Sequence, residues 1–299
     1  VQGTAMDSRG VWVSPGTAGG AARLNEAQLD AVQLDAAQLD AAQLNLQPYV
    51  PPPSVMLSLT EAHRALVEIL SLNISRKRLQ KIAPAGDGHP VMVLPGFMAG
   101  DGYNRALRRF LGSLNYAVHG WGLGRNLGPR EGVLEGLQDR IIDLSRRYEA
   151  PVSLVGHSLG GIFARELARE FPDLVRQVSS LGSPFGKGRM TASVPARLFT
   201  ALNPPEELPV DEDVLHQPPP VPLTAIYSKG DGIVNWQTTL QHDGHHRSQN
   251  IQVRGSHCGM TLNPVIWFLV AERLATHPDR WRPFQRASWR NLFYPDAES

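Results

Sequence analysis

From His89 onward the chain alternates short apolar runs with helical stretches, and this rhythm constrains its fold more than any other feature. The segments PVMVLPG, YAVHGW, VSLVGHS, QVSSLGS, PLTAIYS and NIQVRGS are apolar, bounded by Gly, Pro or Asn, and read as strands. Tyr103 to Leu114, Arg130 to Tyr148, Leu159 to Phe171 and Pro264 to Leu274 read as helices by their apolar spacing. Parallel strands need crossovers of this length, so the pattern predicts an α/β fold with a mostly parallel central sheet and helices on both faces. An apolar fraction of 42% over 299 residues supplies a core for one such domain.

The preceding residues are of another kind. Leu24, Leu29, Leu34, Leu39 and Leu44 recur every five residues, each followed by Asn or Asp, a period that fits neither a helix stripe nor strand alternation. The unit resembles that of pentapeptide-repeat proteins, but about five units make little more than one coil, and residues 1–54 are expected to be a flexible or weakly helical arm, with a docked structural unit as the alternative for the repeat. The arm ends in the Pro-rich linker PYVPPPS. Residues 55–299 then form the folded domain, and Ser58-Leu59-Thr60-Glu61 supplies a capped helix start for an apolar-periodic run to Leu72.

Charge and cysteine content narrow the functional classes. A formal net charge of +1 with no concentrated basic face argues against a nucleic-acid partner. The single Cys258 permits neither an intrachain disulfide nor a Cys-based zinc cluster. With no signal-peptide core and no apolar run of membrane-spanning length, a cytoplasmic location is the expectation.

The pentapeptide Gly156-His157-Ser158-Leu159-Gly160 carries the chemistry. It joins the strand-like Val152-Ser153-Leu154-Val155 directly to the helix-like Ile162 to Ala168, so the turn at Ser158 is tight. Glycine two residues to either side admits close backbone approach, and the hydroxyl projects beyond the sheet at a helix N-terminus, where the Leu159 N–H favours a developing anion. A serine at its free pKa needs a base and a group to orient that base. Downstream, Asp231 follows the strand PLTAIYS and His257 follows NIQVRGS. Asp211, Glu212, Asp213 and Asp243 compete for the acid position but follow no strand as directly. VMVLPGFMAGD places the Phe97 amide on the loop after the first strand, as the second oxyanion donor beside Leu159.

LPGF, GHSLGG, SKGDGIV and GSHCGM, in that order over about residues 85 to 275, resemble the α/β-hydrolase superfamily, particularly its bacterial lipase-like and esterase-like members. The resemblance implies an α/β-hydrolase fold with a small cap or lid insertion at about 184–220, where Val194, Leu198, Phe199 and Leu202 have the spacing to cover an acyl pocket. It implies a serine hydrolase of small-molecule carboxylic esters acting through an acyl-enzyme, with Ser158 as nucleophile, His257 as base, Asp231 as its orienter, and no cofactor. An acyltransferase on the same triad is the alternative, and a hydrolase fold kept as an interaction scaffold is the non-enzymatic one. Ser158 stands where haloalkane dehalogenases and epoxide hydrolases place an aspartate. The run from His242 to His246 reads as a solvated turn, not a metal site. The C-terminal WRPFQRASWRNLFYP reads as aromatic packing, with peripheral lipid contact as its alternative.

Overall fold

The computed structural model describes residues 5–6, 12–13, 49–203, 212–242, 246–286 and 288–296. Two compact units divide the chain, Val1–Gln47 and Pro48–Ser299. In the first, β1 (Ala5–Met6) pairs antiparallel with β2 (Trp12–Val13). The period-five repeat lies outside the described residues.

The second unit begins with α1 (Val55–Leu59) and α2 (Glu61–Ile82). Then follow β3 (Pro90–Leu94), α3 (Arg105–Ser113), β4 (Ala117–Gly120), α4 (Val133–Tyr148), β5 (Val152–His157), α5 (Leu159–Glu170) and β6 (Val175–Leu181). The chain continues through α6 (Ala196–Leu202), α7 (Glu212–Leu215), β7 (Leu223–Tyr227), β8 (Ser248–Gln252) and α8 (Pro264–Ala275). Six strands form one sheet in the order β4-β3-β5-β6-β7-β8, all parallel. Each of the six overlaps a segment read as a strand from its pattern, with β6 and β8 beginning two residues earlier than read.

Alternation along β3 shows why the sheet takes helices on both faces. Val91 and Val93 join a cluster with α2, α3 and α8, whereas Met92 and Leu94 join one with α4 and α5. Phe110 on α3 stacks on Trp267 of α8 at 4.7 Å between ring centroids, and both rings are fully buried. Full burial of such side chains contributes about 1.5–3 kcal/mol each. Among the described residues, no helix is long and apolar enough to cross a membrane.

The helical start read at Ser58 is corrected. Ser54 caps α1 through its Oγ, which accepts from the Leu57 amide at 3.4 Å, and the chain breaks at Thr60 before α2, which runs ten residues past Leu72. Ser58 donates from Oγ to the Gly232 carbonyl at 2.7 Å, and Glu61 turns inward. Tertiary partners override the local capping signal. In the C-terminal stretch, Phe284 is buried against Tyr294 with 4.8 Å between ring centroids, while Phe293 stays half exposed.

The chain leaves β3 toward β4 on one side and returns to β5 on the other, so the strand order reverses between β3 and β5. In open parallel sheets, this reversal leaves a crevice at the carboxyl ends of the strands, where ligands bind.

Candidate active site

Ser158 sits in that crevice, between the last residue of β5 and the first of α5, with φ 51° and ψ −123°. A side chain rarely adopts this backbone, and holding it costs on the order of 1–3 kcal/mol. The flanking glycines make the turn feasible. A Cβ at Gly160 would meet the Leu94 carbonyl oxygen at 2.5 Å, and one at Gly156 would run into the backbone of Gly160 and Gly161.

The loop after β3 presses against the same turn, so that a Cβ at Gly96 would stand 3.1 Å from the Ser158 Cβ. Phe97 follows. Its amide and that of Leu159 are absent from the backbone hydrogen bonds of the described loops and caps. This loop is held by a residue that pattern reasoning left without a role. Asn126 is fully buried and donates from Nδ2 to the Pro95 carbonyl at 2.8 Å, while its own backbone bonds Ala99 and Met98 at 2.8 and 2.7 Å. An Asn among glycines after a strand, in GLGRNLG, is the signal that marks it.

Asp231 and His257 lie at the carboxyl ends of β7 and β8. Nδ1 of His257 is 2.6 Å from Oδ2 of Asp231, and both side chains are buried. A carboxylate only accepts, so Nδ1 carries the proton and Nε2 keeps a lone pair. The other Asp231 oxygen accepts from the Ile233 and Val234 amides at 2.9 and 2.7 Å, which fixes the carboxylate's rotation. Burial acts against protonation of His257, yet the Asp231 charge and hydrogen bond, aided by the Glu61 charge, outweigh it and raise its pKa above the ordinary histidine value.

The sheet register sets the Ser158 turn and the His257 ring against the same end of β6. The Ser158 amide donates to the Leu181 carbonyl at 2.8 Å, and the next residue, Gly182, abuts the His257 ring so closely that a Cβ there would lie 3.2 Å from Nδ1. Cys258 is exposed. Although the residue reaches the surface, desolvation of its thiol by the surrounding protein and the charges of Glu61 and Asp231 push the thiol up to about 11, so it stays protonated near neutral pH.

Of the competing carboxylates, Asp211 and Asp243 lie outside the described residues, and Glu212 and Asp213 fall on α7. In the run from His242 to His246, residues 243–245 are likewise outside them. Among the described residues, no cluster of three or more His, Cys, Asp or Glu is placed to hold a metal ion.

A cavity of about 50 Å³ opens beside Ser158, lined by Phe97, Leu159, Ile162, Met190 and Phe199 among others. Phe199 reaches it from α6 and meets Phe97 edge-to-face at 5.5 Å. Val194 and Leu198 instead face solvent.

A parallel sheet with this strand order and a strained serine turn between β5 and α5 defines the α/β-hydrolase fold. The structure is similar to the crystal structure of Aspergillus fumigatus lipase B, with a TM-score of 0.51 and 17% identity over 69% of this chain. The matched region spans 56% of that lipase's length. It is also similar to mouse alpha/beta hydrolase domain-containing protein 10, with 20% identity, a TM-score of 0.45, and coverage of 62% of this chain and 88% of that one. For a monoacylglycerol lipase from Paleococcus ferrophilus the identity is 15%, the TM-score 0.46, and the coverage 65% and 96%. No protein-family profile and no curated protein sequence matches the chain.

Proposed function

We propose that this protein is a serine hydrolase of carboxylic esters, with Ser158 as nucleophile, His257 as general base and acid, and Asp231 orienting the imidazole. The buried 2.6 Å pairing of Asp231 with His257, beside a serine on a strained strand-to-helix turn, carries the reading. In this mechanism Nε2 of His257 takes the Ser158 proton as Oγ attacks the ester carbonyl carbon. The amides of Phe97 and Leu159 receive the negative charge that develops on the carbonyl oxygen. His257 then protonates the leaving alkoxide, and an acyl-enzyme remains. Water, deprotonated by His257, attacks the acyl carbon, and Ser158 leaves with the returned proton.

The apolar walls of the cavity beside Ser158 support an acyl group as the part of the substrate it receives. The similarity to Aspergillus fumigatus lipase B, by its name a lipase, agrees with ester substrates. A fluorophosphonate probe tests the reading: covalent label located on Ser158 by mass spectrometry, together with turnover of short p-nitrophenyl esters, is the expected result. Absence of both from folded protein overturns it. An added alcohol acceptor in the same assay separates hydrolysis from acyl transfer.

A further inference from the structure

The geometry points to Glu61 as a positioning residue for the Asp231–His257 pair: one buried carboxylate that ties the loop after β7 to the loop after β8 and adds negative charge behind the imidazole. The inference rests on the ester-hydrolase reading for its catalytic consequence, but not for its geometry.

Helix α2 buries Leu72 and Leu79 in the core but turns most of its other aliphatic side chains outward. Leu66, Val67, Leu70 and Ile74 are 54%, 61%, 54% and 86% exposed, whereas Glu61 and Glu68 are 5% and 8% exposed. Placing carboxylates inward and aliphatic side chains outward is costly unless the carboxylates are fully engaged. They are. Oε2 of Glu61 accepts from the Gly232 amide at 3.0 Å and from Nη2 of Arg64 at 2.9 Å, and Oε1 accepts from the Cys258 amide at 2.7 Å. Gly232 directly follows Asp231, and Cys258 directly follows His257.

The other sides of both residues are held from the same helix. Arg64 donates from Nη1 to the carbonyl of Gly230, before Asp231. Glu68, two helical turns beyond Glu61, accepts from the amide of Ser256, before His257, at 3.3 Å from each oxygen. It also accepts from Ser256 Oγ and, at 2.7 Å, from Asn263 Nδ2. Asp231 and His257 are thus each flanked on both sides by contacts from α2. Gly232 fits this arrangement, since a Cβ there would lie 2.7 Å from Oε2 of Glu61.

Glu61 also acts electrostatically. The groups facing His257 are Asp231 from the β7 loop, His157 from the end of β5 and Glu61 from α2, with Arg64, Glu68 and Cys258 around Glu61. Burial opposes protonation of His257, while Asp231 and Glu61 favour it. Removing the Glu61 charge therefore lowers the His257 pKa and weakens stabilisation of the imidazolium formed in the transition state.

The test compares wild type, Glu61→Gln and Glu61→Asp, each checked for folding by thermal denaturation. The His257 imidazole is titrated by NMR and kcat and KM are measured on p-nitrophenyl acetate. Glu61→Gln is expected to move the His257 titration and the acid limb of kcat/KM to lower pH. It is also expected to reduce kcat by on the order of tenfold or more with KM nearly unchanged. Glu61→Asp keeps the charge but not the reach, so the titration stays near wild type while kcat falls. A folded Glu61→Gln with unmoved His257 titration and full kcat overturns the inference. If Glu61→Gln does not fold, a folded Glu61→Asp with full kcat does so. The titration needs no substrate: a shift in Glu61→Gln beside an inactive wild type defeats the ester reading alone, whereas an active wild type beside a Glu61→Gln with no shift and full kcat defeats the inference alone.

Discussion

His157 donates from Nε2 to the backbone carbonyl of His257 across 3.0 Å, so the residue before the turn serine holds the residue proposed as base. Burial and the neighbouring His257 depress the His157 pKa to about 3. His157 stays neutral through the ordinary pH range of an assay, and the carbonyl it serves fixes its proton on Nε2.

Acid inactivation is therefore expected to be a one-proton event belonging to His257. In the proposed mechanism the base must be neutral to accept the Ser158 proton, and the His257 pKa is raised, so kcat/KM is expected to rise with pH through a single limb whose midpoint lies above the ordinary histidine value of about 6.5. Asp231→Asn removes the largest favourable charge and moves that midpoint down. A pH profile on a short p-nitrophenyl ester checks both, and a two-proton limb contradicts the neutrality of His157.

Ser158, His257 and Asp231 are expected to behave as one unit. Ser158→Ala and His257→Ala should each reduce kcat by on the order of 10⁴–10⁶, the double variant should lose little more, and Asp231→Asn somewhat less. Kinetics of the four proteins on one ester decide the matter. Additive losses would show that the residues act in separate steps.

The Ser158 backbone makes a stability prediction that runs against the usual order of residues. Glycine at an ordinary position is less stable than alanine by about 0.5–1 kcal/mol, but at φ 51° and ψ −123° alanine keeps the Cβ strain and glycine relieves it. Ser158→Gly should therefore denature at a higher temperature than Ser158→Ala, both being inactive. The reverse order would place the strain elsewhere.

Acyl-chain preference follows from the cavity. Its volume of about 50 Å³ lies far below the roughly 300–1,000 Å³ of pockets for drug-sized ligands, so acetate and butyrate esters should turn over faster than decanoate. Phe199→Ala removes a wall while leaving the Phe97 amide in place, and should shift the optimum to longer chains. A flat profile in both proteins would mean that the acyl group binds elsewhere.

The sheet and the pair at its edge were legible because their signals are local. Apolar runs punctuated by Gly and Asn marked β3, β5, β6, β7 and β8, and Asp231 and His257 stand directly after two of those runs. Glu61 was misread for the opposite reason: three residues after Ser58 it fits a capping box, and nothing nearby reveals that Gly232, 171 residues away, claims its carboxylate. The exposed Leu66, Val67 and Leu70 compounded this, since an apolar stripe predicts the buried face of a helix and α2 buries another. Asn126 was visible as a residue type, but its bond to Pro95 depends on β3 and β4 being neighbours, a matter of topology.

The bond from Glu61 to the Cys258 amide spans 197 residues, and that separation fixes an order of events at the ribosome. At about 5–20 residues per second, the helix emerges roughly 10–40 s before the strand whose loop it will grip. Through that interval Glu61 and Glu68 remain hydrated, and Ser158 can already occupy its turn between β5 and α5. In the proposed mechanism, competence toward substrate therefore arrives last, with the docking of a late-made loop onto an early-made helix, and a nascent chain halted before β8 would carry the serine without the imidazole proposed to activate it.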